Sequence, residues 1–243
     1  MLAGTLIAAI LLSLLRLSPV WAEPAALIVH GSPAEKRIAL TFDDGPSPYT
    51  QEICSLLCRY QAKATFFVLG CHALQYPRII RGLLKHGHEV ENHSFSHKRF
   101  PQVDKAAWQQ ELERTEAELD CLGSPDRNLF RPPYSNYNQR FLNYLGHLHE
   151  RLVLWSVDSG DWRGLDDVAI AANVLKGVHN GAIIIFHDGD ELGRRDHKNT
   201  VDALRIVLPA LKSRGYEMVT VSELLHIPNT KGSVPSEPEH AHP

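Results

Sequence analysis

The chain has 243 residues, of which 44% are hydrophobic and 22% charged, enough for one large α/β domain with a substantial core. A net charge of −3 excludes a general nucleic-acid binder, which would carry a basic stripe. Fourteen histidines stand out, and most of them read as surface or structural.

The N-terminal stretch has an apolar core of 14 residues, Leu2 to Leu15. That is short of the roughly 20 needed to cross a bilayer. Val20-Trp21-Ala22 offers a cleavage site, although no Lys or Arg precedes the apolar core and the first cation is Arg16. Residues 1–22 are therefore expected to be a cleaved secretory signal, with an uncleaved anchor as the competing reading. The product from Glu23 onward is expected to be exported, periplasmic or secreted, with no stable membrane span.

After residue 36, strand and helix patterns alternate. "RIALTF" (Arg37–Phe42) is a short apolar run with a buried-strand signature, ending at Asp43-Asp44-Gly45-Pro46. A helix is expected around Gln51–Tyr60, a strand at Ala64–Gly70, and a helix at Pro77–His86 closed by Gly87. His88–His93 reads as the third strand. Asp104–Cys121 is a helix with Asp104 as N-cap and Gly123 as its stop. Leu129–Phe130, Arg151–Val157, Gly181–His187 and Met218–Val221 complete the strands. Helices are expected near Gln139–Leu145, Asp166–Lys176 and Val201–Ser213. From Pro228 on, the Pro-rich polar tail reads as disordered. Regular β-α alternation implies a mainly parallel sheet with covering helices, and six or seven such units suit a barrel-like closure better than a small open sheet.

In such folds functional groups gather just past the carboxyl ends of strands. Asp43 and Asp44 follow the first strand and His93 the third, with His97 four residues on. Arg131 and Tyr134 in "RPPY" follow the fourth, and Asp161 and Trp162 in "DSGDW" the fifth. His187 ends the sixth. His-x-x-x-His puts two imidazoles on one face if the segment is helical, a geometry that binds a single zinc ion. One carboxylate completes a three-ligand open site, and a second carboxylate is then free to take a proton from an activated water. The residues alone do not say which aspartate has which task.

Four cysteines, Cys54, Cys58, Cys71 and Cys121, permit disulfides in an oxidising compartment and allow three pairings. Cys54 and Cys58, four apart on an expected helix, could be half of a zinc site. No matching pair follows at zinc-ribbon or zinc-finger spacing, so the cysteines read as structural or disulfide-bonded.

"TFDDGP", "HSFSH", "RPPY", "DSGDW" and "IIFHDG", in this order, resemble the five motifs of the polysaccharide deacetylase family, carbohydrate esterase family 4, the NodB-homology domain. The resemblance spans about Arg37 to Val221. It implies a distorted (β/α) barrel of the NodB-homology type with about seven parallel strands, forming a catalytic domain over residues 23–227. It also implies metal-dependent hydrolysis of N- or O-acetyl groups on a cell-wall or extracellular polysaccharide. Carried over residue by residue, it makes Asp43 the general base, and Asp44, His93 and His97 the metal ligands. Arg131 would orient the base, and the backbone N–H of Tyr134 would stabilise the oxyanion. His187 would be the general acid, held by Asp161, while Trp162 and Ile185 would wall the acetyl pocket. Zinc is the expected metal, with Co2+, Ni2+ or Mn2+ as other candidates. The expected partner is an acetylated glycan acted on by a monomer. Two departures touch substrate fit: Ser135 follows "RPPY" where the family usually has glycine, and Ile185 replaces a leucine. Haloacid-dehalogenase-type phosphatases also carry aspartates after a first strand, but as Asp-x-Asp with carboxylate-built magnesium sites. An inactive glycan-binding relative would lack a reacting group, and none is missing here.

Overall fold

Among the described residues, nine parallel strands form a single sheet, and its order explains the shape. A computed structural model describes residues 23–125 and 128–228; the expected signal at 1–22 and the tail from 229 lie outside them. In chain order the elements begin with β1 (Leu27–Ile28), β2 (Arg37–Asp43), α1 (Pro48–Arg59), β3 (Ala64–Val68), α2 (Gly70–Gln75), α3 (Pro77–Lys85) and β4 (Glu89–Asn92). They continue with α4 (Lys105–Leu122), β5 (Leu129–Phe130), α5 (Gln139–His147), β6 (Arg151–Val153) and β7 (Val157–Asp158). The last are α6 (Asp167–Gly177), β8 (Ile183–His187), α7 (Lys198–Ser213), β9 (Glu217–Val219) and α8 (Val221–Leu224).

The sheet runs β1-β6-β5-β4-β3-β2-β8-β7, and β9 also pairs with β2. The expected strand Arg151–Val157 is broken in two. Its first half, β6, sits near one end of the sheet between β1 and β5, and its second half, β7, forms the other end beside β8. Three residues bridge the two segments, four Cα steps that reach about 14 Å at most, so the sheet must be rolled almost into a barrel. With that segment counted once and the two-residue β1 set aside, the seven expected strands are those observed. Of the helices, α2 and α8 are too short to have shown a periodic pattern.

Side-chain alternation sorts the two faces of the sheet. Ile38, Leu40 and Phe42 of β2, with Phe66, Ile184 and Phe186, face the covering helices α1, α6 and α7. Phe42 stacks on Phe66 at 5.0 Å and on Phe186 at 5.5 Å. Ala39, Phe67, Val153, Ile183 and Val219 form a separate cluster on the inner face. The alternation carries Asp43 and His187 to that inner side.

Local signals set several boundaries. Ser47 caps α1 in a capping box with Thr50, and Pro48 opens it. Asp104 caps α4 by accepting from the Ala107 N–H, and Gly123, at φ 85°, ends it in the left-handed conformation. Among the described residues, no helix is long and apolar enough to cross a membrane. All four cysteines are free thiols.

Candidate active site

Adjacent residues on a strand face opposite ways, so two neighbouring aspartates can share a cleft only if the strand ends between them. Asp44 has φ 70°, a left-handed conformation that Asp tolerates. Asp43 is the last residue of β2, and both line the same cleft. The peptide Gly45-Pro46 is cis. A Cβ at Gly45 would collide with the Asp188 carboxylate, so the turn needs glycine. Asp188, wholly buried beneath this turn, accepts from the Thr50 hydroxyl. Burial, together with the charges of Asp44 and Asp43, pushes its carboxyl up to about 7.

His93 and His97 converge on Asp44, although not from a helix as expected. Both follow β4 in a loop, with Ser94 at φ 76° and His97 at φ 61° folding the backbone back on itself. The Nδ1–H of His93 donates to the Arg131 carbonyl at 2.7 Å, and that of His97 to Glu191 Oε2 at 3.1 Å. A proton on Nδ1 leaves the Nε2 lone pair free. The two Nε2 atoms lie 3.2 and 3.1 Å from Asp44 Oδ1, a buried oxygen without a hydrogen-bond donor. All three ligand atoms fall within 4.8 Å of one another. Three electron-rich atoms meeting in this way fit a divalent cation with N/O preference. The cluster can otherwise gather protons. Against the cost of burial, the imidazoles hold the Asp44 carboxyl well below the usual carboxylate range, and Asp44 and Glu191 raise His97. A metal ion competes with those protons.

Asp43 is held by a buried arginine. Arg131 Nη1 donates to Asp43 Oδ1 at 2.7 Å and to Thr41 Oγ1 at 2.8 Å, both on β2. Its Nε and Nη2 donate to the carbonyls of Val153 and Leu154 at 3.1 and 3.0 Å. The guanidinium lies over the Phe67 ring, 4.1 Å from its centroid. Arg131 is fully buried, so Asp43 meets an uncompromised positive charge.

β8 pairs with β2 so that His187 is the register partner of Asp43. His187 Nδ1 donates to Asp161 Oδ1 at 2.8 Å, and its backbone N–H donates to Oδ2 at 2.7 Å. Thr200 supplies a third donor to Asp161 at 3.0 Å. Burial disfavours the imidazolium, but Asp161, with Asp44 and Asp43 beyond it, pushes His187 up to about 10. Its Nε2 is therefore protonated at neutral pH.

Asp43, Asp44, His93, His97, Asp161 and His187 line a cleft of about 870 Å³, together with Tyr134, Trp155, Trp162 and Ile185, while Arg131 is buried behind Asp43. Tyr134 (φ 57°) lies in the 3-10 turn Pro133–Ser135, where early N–H groups lack intrahelical partners. Ser135, the departure from the family pattern, has φ 53°, a left-handed conformation natural to glycine and strained for serine. Ile185 is buried in β8, opposite Thr41, where a β-branched side chain fits. Every sequence-derived site residue is thus in or against one cleft.

Several participants were not foreseen. Glu191 accepts from both His97 and the Tyr134 hydroxyl, the latter at 2.6 Å. His72, read as surface or structural, donates to the Asp44 carbonyl at 2.8 Å. Trp155, read as core, lines the cleft 5.6 Å from the Arg131 guanidinium. None belongs to a periodic pattern. The only local signal was that "HDGDE" continues directly from a strand end.

The chain matches the family model for polysaccharide deacetylase over residues 30–153. It is 33% identical over 207 residues to a peptidoglycan-N-acetylglucosamine deacetylase of Bacillus cereus, covering 84% of this chain and 74% of that one. A chitooligosaccharide deacetylase of Sinorhizobium fredii is 37% identical over 193 residues, covering 74% and 87% respectively. A crystal structure of a peptidoglycan N-acetylglucosamine deacetylase superposes with a TM-score of 0.78 at 31% identity, covering 84% of this chain and 95% of that chain. With fold, motif order and relatives in agreement, the chain belongs to the polysaccharide deacetylase family.

Proposed function

We propose that this protein is an exported, zinc-dependent hydrolase that removes acetyl groups from an N-acetylated cell-wall or extracellular polysaccharide. O-acetyl groups are open to the same chemistry. The observation that carries the reading is the meeting of three features at the ends of neighbouring strands. These are an arginine-paired carboxylate, a three-ligand cation site and a carboxylate-paired imidazole.

Asp43 accepts the proton of the attacking water as that water adds to the acetyl carbonyl. Arg131 fixes the carboxylate in place through its Nη1 hydrogen bond. The N–H of Tyr134 donates to the developing oxyanion. As the C–N bond breaks, His187 gives its Nε2 proton to the departing amine, and Asp161 holds the ring and balances its charge. Acetate and a free amino sugar result. A divalent cation held by Asp44, His93 and His97 would supply Lewis acidity to the acyl oxygen and lower the pKa of water to about 7. The N/O ligand set suits zinc, and cobalt, nickel or manganese could substitute. Trp162 and Ile185 would flank the acetyl methyl. All these groups come from one chain, which suits a monomer with residues 23–227 as its catalytic unit.

Relatives that act on peptidoglycan and on chitooligosaccharide make those the first substrates to try. Acetate release by the zinc-loaded protein should be followed on both and on acetylxylan, with Asp43→Asn and His93→Ala alongside. Asp43→Asn should keep its zinc and lose about 10²–10⁴-fold in turnover; His93→Ala should hold one zinc equivalent fewer than the wild type by elemental analysis. A fully active Asp43→Asn, or no release from any glycan with zinc bound, would overturn the reading.

A further inference from the structure

A second cluster of metal-ligating side chains lies away from the cleft. Cys54 and Cys58 are one turn apart on α1, and the fold brings His88, thirty residues farther along, against them at the start of β4. One ligand atom from each lies within 4.8 Å of the other two. This histidine lies outside any zinc-finger spacing, because it arrives through sheet pairing rather than through a local loop.

His88 makes the cluster more than a coincidence. It is 4% exposed, and among the described residues neither ring nitrogen has a hydrogen-bond partner. Its one recorded ring neighbour is Phe66, edge-on at 5.6 Å. A buried imidazole with no polar partner is costly unless something else takes its lone pair. Cys54 is buried and Cys58 exposed, so the cluster has one sealed side and one side open to solvent for entry and for a fourth ligand. Lys63 is a nearby cation that acts on His88, and two thiolates would offset it.

A disulfide between the two cysteines is the competing outcome. On a helix, residues four apart hold their Cβ atoms about 5–6 Å apart. A disulfide draws them to about 3.5–4.5 Å. Closing it would distort the helix that directly follows the catalytic aspartates. A metal ion bridges the longer gap without distortion, since each metal–sulfur bond is about 2.3 Å.

We propose that Cys54, Cys58 and His88 form a second metal site, for a thiophilic ion such as zinc, tying α1 to the start of β4. The site is independent of the deacetylase reading. Two thiolates and an imidazole favour zinc or cuprous copper over magnesium, calcium or manganese. The His88 end of β4 is the opposite end from His93, about 16 Å away at strand rise. The two ions would therefore be separate.

Cobalt titration of the full chain under reducing conditions tests this directly. The wild type should take up two ions per chain and develop a near-ultraviolet thiolate-to-cobalt charge-transfer band. Cys58→Ser, at an exposed position, should bind one ion, lose the band and keep full acetate release. His93→Ala should also bind one ion but retain the band. Zinc should raise the thermal midpoint of His93→Ala and leave His93→Ala/Cys58→Ser unmoved. A wild type that binds one ion with no thiolate band would overturn the proposal. So would a band that survives in Cys58→Ser, or an intact mass showing Cys54 and Cys58 joined as a disulfide in protein isolated without reductant.

Discussion

The inner wall of the cleft and its outer rim are built on opposite terms. On the inner wall, Asp43, His93 and Arg131 are each at most 3% exposed and are held by strands, backbone carbonyls and one another. On the rim, Tyr134, Trp162 and Leu192 are 43%, 48% and 62% exposed. The wall gives charged groups a low-dielectric setting in which a fixed neighbour counts for far more than it would in water. The rim must admit a polymer longer than any pocket, so it offers aromatic and aliphatic faces without enclosing them. Wall and rim thus answer to different forces.

The sharpest way to break that division is Arg131→Met. It leaves Asp43 buried without its counter-charge, which should cost about 3–5 kcal/mol of stability along with nearly all turnover. Adding Asp43→Asn should restore much of the stability and none of the activity; urea unfolding with acetate assays checks both. His187→Gln should lower turnover by about 10²–10⁴-fold. It should also reshape the pH dependence of stability. The folded-state pKa is raised to about 10, against about 6.5 in the unfolded chain. The contribution of protonated His187 is therefore complete below about pH 6.5 and disappears as the pH climbs through about 10. Unfolding free energies measured from pH 6 to 10 should fall less steeply in His187→Gln than in the wild type. On the rim, Trp162→Ala should leave stability within about 0.5 kcal/mol and act mainly on KM for long glycans. A large stability loss there would collapse the distinction between wall and rim. The smallest effect expected is a gain: Ser135→Gly relieves a left-handed serine and should stabilise the protein by up to about 1 kcal/mol, read as a rise in thermal midpoint.

The inner wall was also the more legible part of the sequence. "RIALTFDD" announces a buried strand and its polar end through composition alone, and alternation then assigns each side chain a face. The site residues were legible because each follows such a strand. The routes between strands were not. His-x-x-x-His suggested a helix, but two left-handed residues, Ser94 and His97, bring the imidazoles together in a loop. Nothing in "RLVLWSV" marks the break at Leu154–Ser156, because that break is imposed by the two ends of a rolled sheet rather than by any local breaker. Glu191, His72 and His88 were missed for a related reason. Each gains its role from a partner 25 or more residues away, and no periodicity records such a meeting.

The four donors of Arg131 have a further consequence. Two of its bonds go to β2, and two go to the carbonyls of Val153 and Leu154, where the chain leaves one end of the sheet for the other. Barrels ordinarily shut along a seam of backbone hydrogen bonds. Here a single guanidinium acts as the buckle, spanning the lumen from the first long strand to the gap. The closure of the sheet at this gap and the aim of one carboxylate thereby share the same side chain.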